Sequence, residues 1–201
     1  MSEPPAESEK NAAPDVLFAT VTVEGSVLLI ALAIGWYRGE SPWKFVRWEA
    51  SAVLWAMLAT VPPVLLGWLM LRFPVGPLRS LRTLSRKLVS EVFTGSQLWQ
   101  LAFVSLWAGV AEELLFRGVV QQLAEERFGL LTGLLVGSVL FGIAHPLSAL
   151  YFVFTALMGA YLGWIWIVSD YNLLVPMIVH ALYDFLLLAL MVRSLQREND
   201  K

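Results

Sequence analysis

The sequence predicts an all-α, polytopic membrane bundle of about six transmembrane helices, with an amphipathic helix on the bilayer surface. Three observations predict it. The chain of 201 residues is 58% hydrophobic and 15% charged, whereas a soluble domain averages about 25% charged. Apolar stretches recur along it, most of them near the ~20 residues that cross ~30 Å of hydrocarbon. Nine tryptophans fit a chain with membrane–water interfaces, where amphipathic rings collect. The net charge of −2 does not point to nucleic acid as a partner. The chain has no cysteine, which excludes thiol catalysis and Cys-ligated zinc.

Residues 1–15 are polar, acidic and rich in Pro and Ala, and read as a disordered lead-in. They lack the basic start and apolar run of a signal peptide. The first span is Val16–Trp36 and carries Glu24. The second is Ala50–Leu71, with Pro62–Pro63 in its middle. Between Gly76 and Phe93, Leu78, Leu81, Leu84 and Leu88 alternate with basic residues, the pattern of a helix lying on the membrane surface. The third span is Trp99–Val120, the fourth Leu130–His145, the fifth Leu147–Val168 and the sixth Leu173–Val192. Pro146 disfavours helical geometry at His145, so the short fourth helix should end there. Irregular backbone at membrane depth needs protein or a water-filled cavity around it. The chain divides into the lead-in (1–15), two spans plus a basic segment (16–95), a core (96–193) and a polar tail (194–201).

Basic residues set the expected orientation. Lys10, Arg72, Arg79, Arg82, Arg86, Lys87, Arg193, Arg197 and Lys201 fall on one side of a six-span path. Arg38, Lys44, Arg47 and Arg127 fall on the other. Nine against four places both termini in the cytoplasm of a multi-pass cell-membrane protein.

The chemistry lies in the third span, LAFVSLWAGVAEELLFRGVV. Glu112, Glu113 and Arg117 sit where a single charge costs about 2.5–3.5 kcal/mol on insertion scales. Consecutive helical residues point about 100° apart, so the two glutamates cannot serve one spot. Glu113 and Arg117, four apart, share a face and can pair. Glu112 then has no local cation and suits proton transfer. The chain's two histidines, His145 and His180, lie in other apolar segments. Asp184, four after His180, can accept from one ring nitrogen and aim the other. Phe141, four before His145, can pack on its ring. The plainer alternative makes each of these a satisfied core residue. By residue counts Glu112 and His180 are level, ~13 and ~12 Å from their span ends, but His145 falls ~22 Å deep, about 10 Å too far. A tilted, extended or broken fourth helix would reconcile them.

The order EELLFR (Glu112–Arg117), FGIAH (Phe141–His145) and HALYD (His180–Asp184) resembles the CAAX-protease and bacteriocin-processing family. That family is also called Abi or type II CAAX prenyl endopeptidase-like, and its motifs are EExxxR, FxxxH and HxxxN or HxxxD. The resemblance covers roughly Gln97–Val192 and implies an intramembrane endopeptidase acting on a membrane-associated protein or peptide. It implies that Glu112 activates water and that His145 and His180 assist. The last motif position, often Asn and thought to hold the oxyanion, is here Asp184, which as a carboxylate cannot donate to it and is better suited to orienting His180.

A metal is the open point. Glu112, His145 and His180 match the ligand count of a catalytic Zn²⁺ site. If Glu112 is a ligand, however, no second carboxylate remains as base, because Glu113 is committed to Arg117. A glutamate-dependent, metal-free mechanism is therefore favoured, although the family is often labelled a metalloprotease. Two rival classes are a proton-coupled transporter, since intramembrane Glu and His also build relays, and a non-catalytic immunity or scaffold protein of the same fold. No inverted repeat is visible, and the motif set is intact. Glu24 is left without an assigned role.

Overall fold

A computed structural model describes residues 12–199, and every regular element among them is helical. α1 (Ala12–Arg38) leads through a 3₁₀ turn (Pro42–Phe45) to α2 (Ala50–Arg72). α3 (Pro77–Val92) follows. α4 (Leu98–Leu115) continues through a π-helical segment (Phe116–Gln121) into α5 (Gln122–Phe128). α6 (Leu130–Ile143), α7 (Ala149–Val168) and α8 (Leu174–Asn199) complete the chain. The expected lead-in lies outside the described residues except for residues 12–15, which form the first turn of α1. The expected polar tail is helical as far as Asn199, because α8 runs on without a break.

Among the described residues four helices are long and apolar enough to cross a membrane: Val16–Arg38, Ala50–Arg72, Ala149–Val168 and Leu174–Glu198. α6 is apolar but shorter, and the rod from α4 to α5 carries the charged cluster. These six rods are the six expected stretches, with corrected ends. Large apolar side chains such as Phe18, Leu29, Leu54, Leu58, Leu131 and Leu157 face outward, as hydrocarbon permits and water does not. α3 buries Leu81 and Val89 against the bundle; Arg79 and Lys87 are exposed, whereas Arg86 reaches Ser194 and Glu198 of α8.

The main correction concerns the third rod. Hydropathy ends it near Gln121, but the helix continues to Phe128 before Gly129 (φ +88°) turns the chain into α6. Glu112 is then ~24 Å from the end of its rod and His145 ~22 Å from the start of α6. The two are level, and the mismatch of about 10 Å came from the misplaced end. The backbone also leaves α geometry at Ile143, before His145, as the following proline requires.

Two local devices fix the rods around this level. Gly109 lets α4 approach α8: a Cβ there would lie 2.9 Å from the Ala181 amide nitrogen and 3.0 Å from the Met177 carbonyl. Asn172 fixes where α8 starts. Its side chain accepts from the amides of Arg47 (3.0 Å) and Leu174 (3.1 Å) and donates to the Arg47 carbonyl (2.9 Å). In the same turn Tyr171 donates to Glu125 of α5 at 2.6 Å. That bond is the main reason the Tyr171 hydroxyl titrates high, pushed up to about 12.

Candidate active site

Glu113 sits at the centre of a buried polar knot. Its Oε1 accepts from the Arg117 guanidinium at 2.8 Å and lies 2.8 Å from His180 Nδ1. Arg117 also donates to the Gly159 carbonyl at 2.8 Å, which ties α7 to the same point. Glu113, Arg117 and His180 are all buried. The Glu113–Arg117 pair is the one helical spacing predicts. The His180 contact is not: Glu113 serves Arg117 and His180 together, so it is not committed to Arg117 alone. The π segment begins within this pair's own turn, and such irregularities are frequent at functional sites.

Glu112 faces the other way, into a cavity of about 180 Å³ also lined by Phe141, His145, Tyr151, His180 and Asp184. Its Oε2 is buried and has no hydrogen-bond partner among the described residues. Nε2 of His145 stands 3.9 Å from that oxygen, beyond direct hydrogen-bond range. Nδ1 of His145 is 2.8 Å from the Phe141 carbonyl. That carbonyl can only accept, so Nδ1 carries a proton and Nε2 of the neutral ring is left as an acceptor turned toward Glu112.

His180 has carboxylates on both sides. Glu113 takes Nδ1–H, and Asp184 Oδ2 lies 3.4 Å from Nε2. Asp184 is therefore beside His180 as the four-residue spacing predicts, but the shorter bond, the one that holds the ring, comes from Glu113. A lone pair on Nε2 would repel an ionised Asp184, so this approach is favourable with a proton between the two.

Phe141 packs on both rings. Its centroid lies 4.8 Å from that of His145 and 5.9 Å from that of His180, and the Arg117 guanidinium sits over its face at 4.7 Å. Tyr183 stacks on His180 at 5.3 Å, nearly parallel. This stacking was not read from the sequence, although Tyr183 stands inside HALYD. Glu24 of α1, left unassigned from the sequence, also has a buried oxygen without a partner among the described residues.

Three donors must converge at about 2.0–2.2 Å from one point to hold zinc. Among the described residues no three His, Asp or Glu side chains do so. Glu112 and His145 face one another across a gap, while both nitrogens of His180 face carboxylates.

A family model described as Type II CAAX prenyl endopeptidase Rce1-like matches residues 94–186. The matched segment contains Glu112, Glu113, Arg117, Phe141, His145, His180 and Asp184. No curated protein and no solved structure matches the chain significantly.

Proposed function

We propose that the chain, whose residues 94–186 match the family model of Rce1-like type II CAAX prenyl endopeptidases, cleaves a peptide bond inside the membrane with Glu112 activating the water. The observation that carries this reading is the opposition of Glu112 Oε2, partnerless and buried, to the acceptor nitrogen of His145 across the cavity. A water in that gap can donate one proton to each. Glu112 takes a proton as the water oxygen attacks the scissile carbonyl. The proton held between His180 and Asp184 faces the same cavity and can be given to the developing oxyanion or to the leaving nitrogen. As the C–N bond breaks, Glu112 gives up the water's proton, either to the leaving nitrogen directly or to the His180–Asp184 pair that has protonated it, and the products are a carboxylic acid and an amine. Glu113 and Arg117 hold His180 in place and stay out of the proton path.

The substrate is a membrane-associated protein or peptide. The cavity runs from Glu112 past Met70 of α2 to Ser85, Leu88 and Val89 on the inner side of α3. Entry from the side of α3 is part of the proposal, and the basic count puts that side in the cytoplasm of a cell membrane.

The test compares membrane and secreted peptides from cells carrying the wild-type chain with those from cells carrying Glu112→Gln. General-base catalysis contributes roughly 10²–10⁴-fold, so uncleaved precursors should accumulate in the variant. Identical peptide profiles would sink the proposal.

We favour catalysis by Glu112 without a resident metal. The placement of His180 between Glu113 and Asp184 supports this, because it leaves only Glu112 and His145 facing one point. Strong chelators should then leave processing at its untreated rate. Loss of processing under chelation, restored by Zn²⁺, would overturn this preference and make Glu112 a ligand.

A further inference from the structure

A second site lies on the opposite face of α8 from the catalytic residues. A groove of about 500 Å³ runs between α2 and α8, with Val61, Leu65 and Leu186 among its walls. It extends along α2 from Met57 to Trp68, ~16 Å at 1.5 Å per residue. At Trp68 and Leu190 it meets a second cavity of about 180 Å³, walled by Arg72, Arg82, Arg86 and Ser194. The two share these walls and form one path, apolar along its length and basic at its end.

The basic end has unused binding capacity. Arg86 is taken by Glu198 at 2.6 Å and Ser194 at 3.1 Å. Arg72 and Arg82 make no ion pair among the described residues, and Arg72 lies over the Phe73 ring at 5.2 Å. Trp68 stands one turn before Arg72, at the junction of the two cavities, the level where aromatic rings mark the membrane–water boundary. Any lipid chain can lie in an apolar groove. A groove that ends on two guanidinium groups with no acidic partner among the described residues selects a negative headgroup, because their planar forks match phosphate oxygens.

We propose that this path is a binding site for one anionic phospholipid, with an acyl chain along α2 and α8 and its phosphate between Arg72 and Arg82. The bound lipid braces the outer face of α8, whose inner face carries His180 and Asp184. The site is independent of the protease reading.

The test uses the full chain purified in detergent and incubated with vesicles of phosphatidylcholine containing a minor share of phosphatidylglycerol. Retained lipid is then counted by native mass spectrometry. The wild-type chain should retain one phosphatidylglycerol at least about tenfold in excess of its share in the vesicles. Arg72→Gln with Arg82→Gln should abolish that preference while phosphatidylcholine still associates. Leu186→Trp, which fills the groove and keeps both arginines, should lower retention of the lipid. Equal retention of the two lipids by the wild-type chain overturns the proposal, as does an unchanged preference in the arginine double variant. Displacement by soluble glycerol phosphate also overturns it, since the site would then bind phosphate without the chain.

Discussion

Glu112 and Glu113 are adjacent in sequence and opposite in circumstance. Glu113 is held by Arg117 and His180, whereas the Oε2 of Glu112 faces a cavity and bonds none of the described residues. Breaking a buried pair from one side costs about 3–5 kcal/mol. Glu113→Gln should therefore lower the thermal midpoint of the purified protein clearly, and Glu112→Gln should leave it at or slightly above the wild-type value. Melting both variants in the same detergent checks this, and equal midpoints would contradict the division of roles. Only half of the division was legible in the sequence. Residues four apart on a helix share a face, which is enough to pair Glu113 with Arg117 and to set Asp184 beside His180. The bond from Glu113 to His180 joins two helices and depends on how closely α4 approaches α8. Gly109 permits that approach, but no spacing along one helix encodes it.

Among the elements, α2 shows how the bundle tolerates what its sequence should forbid. Pro63 has no amide hydrogen and leaves the carbonyl four residues earlier, on Ala59, without its helical donor. Tyr161 of α7 donates its hydroxyl to that carbonyl at 2.6 Å. A freed backbone group in a membrane helix has to be satisfied by a neighbour. Tyr161→Phe leaves it bare and should cost about 1–3 kcal/mol, read as a lower thermal midpoint with the fold retained. A double variant that also carries Pro63→Ala should recover much of the loss, because the amide returns. If the two losses simply add, this pairing of elements is wrong. The spans themselves were legible because hydropathy reports which segments prefer hydrocarbon. Their ends were less so. QQLAEERF is too polar to belong to a span but is composed largely of good helix formers. The helix therefore outlasts its apolar stretch, and reading the change of polarity as the end of the helix misplaced His145 by about 10 Å.

At the scale of the whole molecule, orientation decides which compartment meets the proposed catalytic cavity. The cavity reaches the inner side of α3, so on the proposed function the face that carries α3 is the face from which a substrate arrives. By the positive-inside rule the basic residues of α3 and of α8's last turns lead us to expect that face in the cytoplasm. The α5–α6 turn is at the far end of the same rod that holds Glu112 and should face outward. Because the chain has no cysteine, single cysteines can report both positions without background. Thr83 is an exposed residue of α3, and Phe128, at the last position of α5, is 67% exposed. Neither takes part in the polar knot around Glu113. In intact cells a membrane-impermeant maleimide should label Phe128→Cys and spare Thr83→Cys, which should react only after the membrane is opened. The reverse pattern would turn the molecule over, put the mouth of the cavity outside the cell, and require a substrate that reaches the membrane from there. Labelling of both positions in intact cells would mean that the six rods do not all cross. The short α6 would then be the first to reconsider, because its 14 residues span only ~21 Å of the ~30 Å hydrocarbon thickness.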